Sequence, residues 1–291
     1  MPPPPWKPWH LVCPSNRGLG HALTRLLLLR THPSEPILAT TRAPDSSSSS
    51  LRESLLKDLP SSCAPHRLKI VSGVDVTDEA SVAEAARKAS LFFPPEHSYR
   101  LSCAFALPGI LRVERSLRDV DVDEAVELFR VNAVGNLVLA KHFFPFLPRR
   151  VDHRRRRRLP SEDEQDSSSS LPPPPHHHHA TWLSVAARVG STTDNRAGGW
   201  FSYRASKAAV FSLARSLDLA LQARCGPAAM AVAYHPGTVR TDFSRHFWHN
   251  VPHEKLFSPE YAAEKLLQVV WGLKLDQRGK CWDWQGLEVP P

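Results

Sequence analysis

Short apolar runs alternate with helix-patterned stretches along most of this chain, and that alternation restricts the possible folds more than any other feature. Trp9-His-Leu-Val-Cys13 leads directly into Pro14-Ser15-Asn16-Arg17-Gly18-Leu19-Gly20, after which Leu23, Leu26, Leu27 and Leu29 mark a helix. Pro36–Arg42, Arg67–Val71, Leu101–Ala106, Thr181–Ala186 and Ala228–Tyr234 read as further strands, with Gly279–Trp284 as a final one. Helical patterns lie between them: Leu51–Leu59, Glu79–Phe92 behind an Asp78 N-cap, Asp121–Phe146, a segment from Tyr203 to about Arg224, and one capped by Ser258 that runs to Trp271. Strands and helices joined by short loops specify an α/β fold with a single doubly wound parallel sheet, helices on both faces, and a ligand crevice at the strand C-termini.

At 291 residues with a 42% hydrophobic content, the chain suits one such domain, 1–291, with insertions. From about 148 to 178 the composition changes completely: Arg154 to Arg158, an acidic patch at Glu162, Asp163, Glu164 and Asp166, then Ser167 to Ser170, Pro172 to Pro175 and the start of a His run, His176 to His179. Such a stretch cannot bury a core and is expected to be a disordered low-complexity insertion before the next strand. Consecutive histidines do not build a closed tetrahedral site, so no metal is expected. Cys13, Cys63, Cys103, Cys225 and Cys281 are odd in number and scattered, which argues against a disulfide framework. With neither a signal-peptide core nor a membrane-length apolar run, the expectation is a soluble, cytoplasmic protein without membrane contact. The net charge of +8 contains one dense basic run, closely followed by acids and lacking interleaved aromatics. Nucleic acid is therefore not an expected partner, although the run has the composition of a nuclear-import signal.

The chemistry concentrates in Arg188-Val-Gly-Ser-Thr-Thr-Asp-Asn-Arg-Ala-Gly-Gly-Trp-Phe-Ser-Tyr203-Arg-Ala-Ser-Lys207. Tyr203 and Lys207, four residues apart, share one helix face. A nearby cation stabilises a phenolate and lowers the Tyr203 pKa, so Tyr203 can act as general acid to a carbonyl oxygen; the alternative is a helix with a packed Tyr and an exposed Lys. Glycines 18 and 20 let the backbone approach a pyrophosphate at a helix N-terminus. Arg42 ends the second strand where an acidic residue would bind the ribose of NAD; with Arg17 it favours the 2′-phosphate of NADP. Asp75 stands where an adenine amino group would lie, and Asn132 is embedded in an apolar helical pattern, either as a functional amide or as a satisfied core residue. His235-Pro236-Gly237-Thr-Val239-Arg-Thr241 places a turn and hydroxyls at the end of the sixth strand.

These pieces resemble the short-chain dehydrogenase/reductase family over essentially the whole chain apart from the insertion. The matches are Asn16-Arg-Gly18-Leu-Gly20, Asp75-Val76, Val131-Asn132, Tyr203-x-x-x-Lys207 and Pro236-Gly-Thr-Val-x-Thr241, in the family's order. The run Arg188-Val-Gly-Ser, Asp194-Asn-Arg-x-Gly-Gly-Trp and Ser202-Tyr-Arg-Ala-Ser-Lys, with His235-Pro-Gly-Thr-Val, looks like the C-factor-like branch of carbonyl reductases. The resemblance implies a Rossmann fold and an NADP-dependent oxidoreductase that passes a hydride to an aldehyde, ketone or quinone while Tyr203 protonates the oxygen. Lys207 would tune Tyr203 and hold the nicotinamide ribose, and Asn132 would support a relay water. Ser15, Asn16, Arg17, Gly18, Leu19, Gly20, Arg42, Asp75, Val76, Lys207, Pro236, Gly237, Val239 and Thr241 would line the cofactor. A homodimer or homotetramer is a further implication.

Three positions depart from the family pattern. The first turn glycine is Pro14, the Asn-Asn-Ala-Gly after the fourth strand is Ala106-Leu-Pro-Gly109, and the catalytic Ser expected three residues before Gly190 is Ala187. Ser184 and Ser191 are the nearest substitutes. The alternative function is a nucleotide-binding pseudoenzyme with a regulatory or signalling role.

Overall fold

The computed structural model describes residues 6–150 and 179–291. Most of the insertion expected near 148–178 therefore lies outside the described residues. The sheet begins with β1 (Lys7–Cys13), and α1 (Gly18–Arg30) carries the chain to β2 (Ile37–Thr40), which runs parallel to β1 with Leu11 opposite Leu38. Next come α2 (Ser48–Leu56), β3 (Leu68–Val71), α3 (Glu79–Phe92) and β4 (Tyr99–Ala106). Then follow α4 (Val122–Phe129), α5 (Gly135–Phe143), β5 (Ala180–Val185), α6 (Phe201–Cys225) and β6 (Ala229–His235). A two-strand pair, β7 (Thr238–Val239) with β8 (Leu256–Phe257), precedes α7 (Pro259–Gly272), β9 (Cys281–Asp283) and β10 (Glu288–Val289).

The main sheet has the order β10-β9-β6-β5-β4-β1-β2-β3 and is parallel except for the β9–β10 pair. From β1 the chain winds outward to β3, then returns to β4 on the other side of β1 and winds the opposite way. The reversal between β1 and β4 leaves a crevice at their C-terminal ends. The central strands are mostly apolar because both faces are covered. Trp9, Leu11 and Trp182 pack toward α3, α5 and the end of α6. Val12, Phe105 and Leu183 pack toward α1 and α7.

Local signals in the sequence place several boundaries. The Asp78 carboxylate accepts the Ala80 N–H at 3.0 Å to start α3, and the Ser258 hydroxyl accepts the Tyr261 N–H at 3.1 Å to start α7. The helix expected at Leu51–Leu59 begins and ends earlier, since Lys57 leaves the helical region and Asp58 has a φ of 59°. The stretch expected as one helix from Asp121 is interrupted between α4 and α5 by a π turn, Arg130–Val134, that contains Asn132. All five cysteines are free and buried, and among the described residues no helix is long and apolar enough to cross a membrane.

Candidate active site

The glycine turn at the head of α1 is shaped by contacts that only glycine permits. Gly18 has a φ of 52°, and a Cβ there would lie 2.9 Å from Thr241 Cγ2, so the turn and the loop after β6 meet across the crevice. A Cβ on Gly20 would lie 2.0 Å from the carbonyl oxygen of Pro14. α1 has no side-chain N-cap and no acidic residue in its first turn, which leaves its N–H groups and positive dipole end available to an anion. Ser15 is turned inward: its N–H donates to Thr40 O at 2.7 Å and its hydroxyl to Val12 O at 2.9 Å, tying the turn to β1 and β2. Asn16 and Arg17 are exposed.

Arg42 and Asp75 share the rim, 4.0 Å apart, with the Arg42 side chain 77% exposed. Asp75 Oδ1 accepts the Thr77 N–H at 2.9 Å and the Thr77 hydroxyl at 2.8 Å; the Thr77 N–H, then Arg42, hold this carboxyl below its usual range. Val76 is buried against Gly135, where a Cβ would meet Val76 Cγ2 at 2.7 Å. On the opposite wall Gly237 has a φ of 74° and packs under Phe257 beside Pro236. Val239 lies in β7, and Thr241 caps the short helix that follows.

Tyr203 sits in the first turn of α6 with Lys207 one turn on, and both are buried. Lys207 Nζ lies 5.9 Å from the Tyr203 ring centroid and donates to Val185 O at 2.9 Å. The Asn132 amide is fully engaged: Oδ1 accepts the Ile110 N–H at 2.8 Å, while Nδ2 donates to Ile110 O and to Ser206 Oγ, each at 3.0 Å. Ser206 in turn donates to Tyr203 O at 2.8 Å, so Asn132 joins the loop after β4 to the Tyr–Lys helix. The groups converge at Gly109, where a Cβ would lie 3.4 Å from Lys207 Nζ and 3.6 Å from Asn132 Oδ1. Burial pushes the Lys207 ammonium down to about 8 and the Tyr203 phenol well above its usual value. The lowered Tyr203 pKa expected from the sequence is therefore reversed in this structure, because withdrawal of the phenol from water dominates over its cation.

No family model matches the chain. C-signal of Myxococcus xanthus is 29% identical over 186 residues, covering 62% of this chain and 87% of that protein. The 1-hydroxy-2-glutathionyl-2-methyl-3-butene dehydrogenase of Rhodococcus sp. (strain AD45) is 26% identical over 214 residues, 73% of this chain and 76% of that protein. The crystal structure of NADPH-bound carbonyl reductase from chicken fatty liver superposes with a TM-score of 0.73 at 22% identity, covering 97% of this chain and 98% of that one. The chain has the fold of that solved reductase and is similar in sequence to both relatives.

Position 187 is Ala and offers no hydroxyl. Ser184 Oγ accepts the Trp182 indole N–H at 3.2 Å, and Ser191 Oγ accepts the Asp194 N–H at 3.0 Å, so both of the nearest hydroxyls are engaged by groups other than Tyr203. The turn carrying Ala187 is pressed against α6: a Cβ on Gly190 would lie 2.6 Å from the Lys207 carbonyl carbon and 2.8 Å from Ala208 N. Both neighbours are backbone and cannot yield cheaply. Gly190→Ala is expected to cost about 1–3 kcal/mol of stability, read as a lowered thermal midpoint of the substrate-free protein.

Two aromatic residues at the site, Trp200 and Phe243, escaped the sequence reading. Trp200 lies 6.1 Å from Tyr203 between ring centroids and 5.5 Å from Phe247, and Phe243 lies 6.3 Å from Tyr203. Phe247, in the segment after Thr241, joins this wall. Trp248 instead donates to Ser244 Oγ at 2.8 Å and carries the Arg240 guanidinium on its ring. The signal for Trp200 was the preceding Gly198-Gly199, both with positive φ, which bend the chain into α6.

Proposed function

We propose that this protein is an NADP-dependent oxidoreductase that reduces the carbonyl of an aldehyde, ketone or quinone to an alcohol, with Tyr203 as general acid. The carrying observation is the convergence at Gly109 of Lys207 Nζ and Asn132 Oδ1, with Tyr203 one turn before Lys207, at the end of the sheet where the strand order reverses. The residues present fit the nucleotide. The Gly18–Gly20 turn has no Cβ to block a pyrophosphate, and the N–H groups of α1 have no side-chain cap to compete with it. Arg17 and Arg42 offer cations to a 2′-phosphate at the rim, and Thr241 faces the turn from the other wall. Bound NADPH supplies the hydride.

The chain's own residues supply the proton and the positioning. Burial keeps the Tyr203 phenol protonated, the state a proton donor requires. Lys207, its pKa lowered by burial to about 8, presents ammonium hydrogens beside it for ribose hydroxyls. Asn132 fixes the Ile110 backbone and, through Ser206, the first turn of α6. Trp200, Phe243 and Phe247 make the substrate side aromatic, which suits a flat apolar carbonyl compound.

Purified full-length protein assayed with NADPH, NADH and a panel of aldehydes, ketones and quinones tests this reading. We expect turnover with a preference for NADPH, and Arg42→Ala should raise the NADPH KM about tenfold or more while changing the NADH KM little. Nucleotide binding by fluorescence without turnover of any carbonyl would instead support the regulatory, nucleotide-binding reading.

A further inference from the structure

Glu114 is a buried carboxylate, 4% exposed, in the loop between β4 and α4. Its Oε2 accepts the Ser202 N–H at 2.8 Å, and its Oε1 accepts the Ser202 hydroxyl in a short bond. Its backbone carbonyl accepts the Trp200 N–H at 2.7 Å. No ion pair of Glu114 occurs among the described residues, so the burial of its charge is balanced by these donors and by the positive end of α6. That helix needs an outside cap. Its own N-cap residue is Trp200, which contributes no side-chain acceptor.

Trp200 is itself held in a costly conformation. Its φ of 51° and ψ of 42° lie in the left-handed region, which a bulky aromatic residue adopts only when its surroundings impose it. The Glu114 carbonyl supplies one such restraint, and a Cβ on Gly199 would stand 3.4 Å from that same oxygen. Glu114 thus grips residues 200 and 202 at once, on either side of the start of α6 and immediately before Tyr203.

We infer that Glu114 is a positioning residue: acting through Ser202 and the Trp200 backbone, it fixes the first turn of α6 and so the reach of Tyr203 into the crevice. It touches neither reacting atoms nor Lys207 and Asn132, and it acts only through the helix start. The inference rests on the carbonyl-reductase reading for its kinetic readout but not for its structural one. Small misplacements of a reacting group cost large factors in rate, so the effect should appear in kcat.

The test uses full-length protein with NADPH and the best carbonyl substrate, comparing Glu114→Ala, Glu114→Gln, Ser202→Ala and the double variant Glu114→Ala/Ser202→Ala. Glu114→Ala should lower kcat about 10–100-fold, with the NADPH Kd within about twofold of wild type. Gln keeps the length and an acceptor for the Ser202 N–H, so Glu114→Gln should recover kcat to within about threefold of wild type. Because Glu114 and Ser202 act as one unit, the double variant should be no slower than Glu114→Ala alone. In the substrate-free protein, hydrogen exchange of the peptide spanning residues 199–205 should speed up in Glu114→Ala and stay near wild type in Glu114→Gln. Additive losses in the double variant, a Glu114→Gln as slow as Glu114→Ala, or unchanged exchange in Glu114→Ala would each overturn the inference. If wild type turns over no carbonyl, the activity reading fails, and the exchange measurement alone decides whether the clasp exists.

Discussion

Tyr203→Phe is expected to lower kcat by about 10³-fold, within the range of 10²–10⁴ that a general acid contributes, while NADPH binding stays within about twofold. The substitution removes one hydroxyl and keeps the ring. Contacts with Trp200 at 6.1 Å and Phe243 at 6.3 Å are preserved, so the aromatic wall and the start of α6 should survive. Lys207 keeps its bond to Val185 O, the Asn132–Ser206 link ends on the Tyr203 backbone rather than its side chain, and Thr241 still meets Gly18. What is lost is the proton that burial holds on the phenol. Steady-state kinetics combined with NADPH fluorescence titration separates the two effects. A Tyr203→Phe variant that retained more than about a tenth of wild-type kcat would remove Tyr203 from the acid role.

The parts of this site legible in the sequence are those set by local rules. The glycine turn could be read because a strand, a tight turn and a helix follow one another within α1 and β1, and because Gly18 and Gly20 have backbone reasons to be glycine. Tyr203 and Lys207 could be paired because helix periodicity alone puts them on one face. The parallel sheet followed from the alternation of elements, since parallel strands need crossovers. What depended on distant parts of the chain was not legible. The bonds between Glu114 and Ser202 join residues 88 apart, and nothing in the local pattern of Arg112 to Ser116 marks that carboxylate as buried. The π turn at Asn132 interrupts a pattern that a continuous helix explains equally well. Phe243 and Trp200 face Tyr203 through the fold of two loops whose paths the sequence does not fix. The direction of the Tyr203 shift depends on the fold for the same reason: a neighbouring cation can be seen in the spacing, but the extent of withdrawal from water cannot.

Restoring the hydroxyl that the family pattern places at 187 is expected to raise kcat. The oxygen of a reduced carbonyl gains negative charge before it is fully protonated, and a donor aimed at that oxygen acts where solvent is excluded. Losing one such donor costs about 10²–10³ in kcat where the site is built around it; here a newly added hydroxyl should return a smaller share, about 10-fold. Ala187 can accept the change, because its φ of −154° and ψ of 144° are ordinary extended values and it is only half-buried. It lies two residues beyond Val185, whose carbonyl Lys207 holds, and three before Gly190, which is pressed against Lys207 and Ala208. The turn is thus anchored to α6 on both sides of the new hydroxyl. Ala186 supplies the control: it is 2% exposed and packs with Val210 and Ala214, so Ala186→Ser buries its hydroxyl among apolar groups and should lose stability without gaining rate. If Ala187→Ser folds, binds NADPH as wild type does and shows no increase in kcat, the carbonyl oxygen is not delivered beside residue 187. Tyr203 would then be the sole donor to the substrate oxygen, and substrates whose alkoxide is already stabilised by conjugation, such as quinones, should be reduced fastest by the wild-type protein.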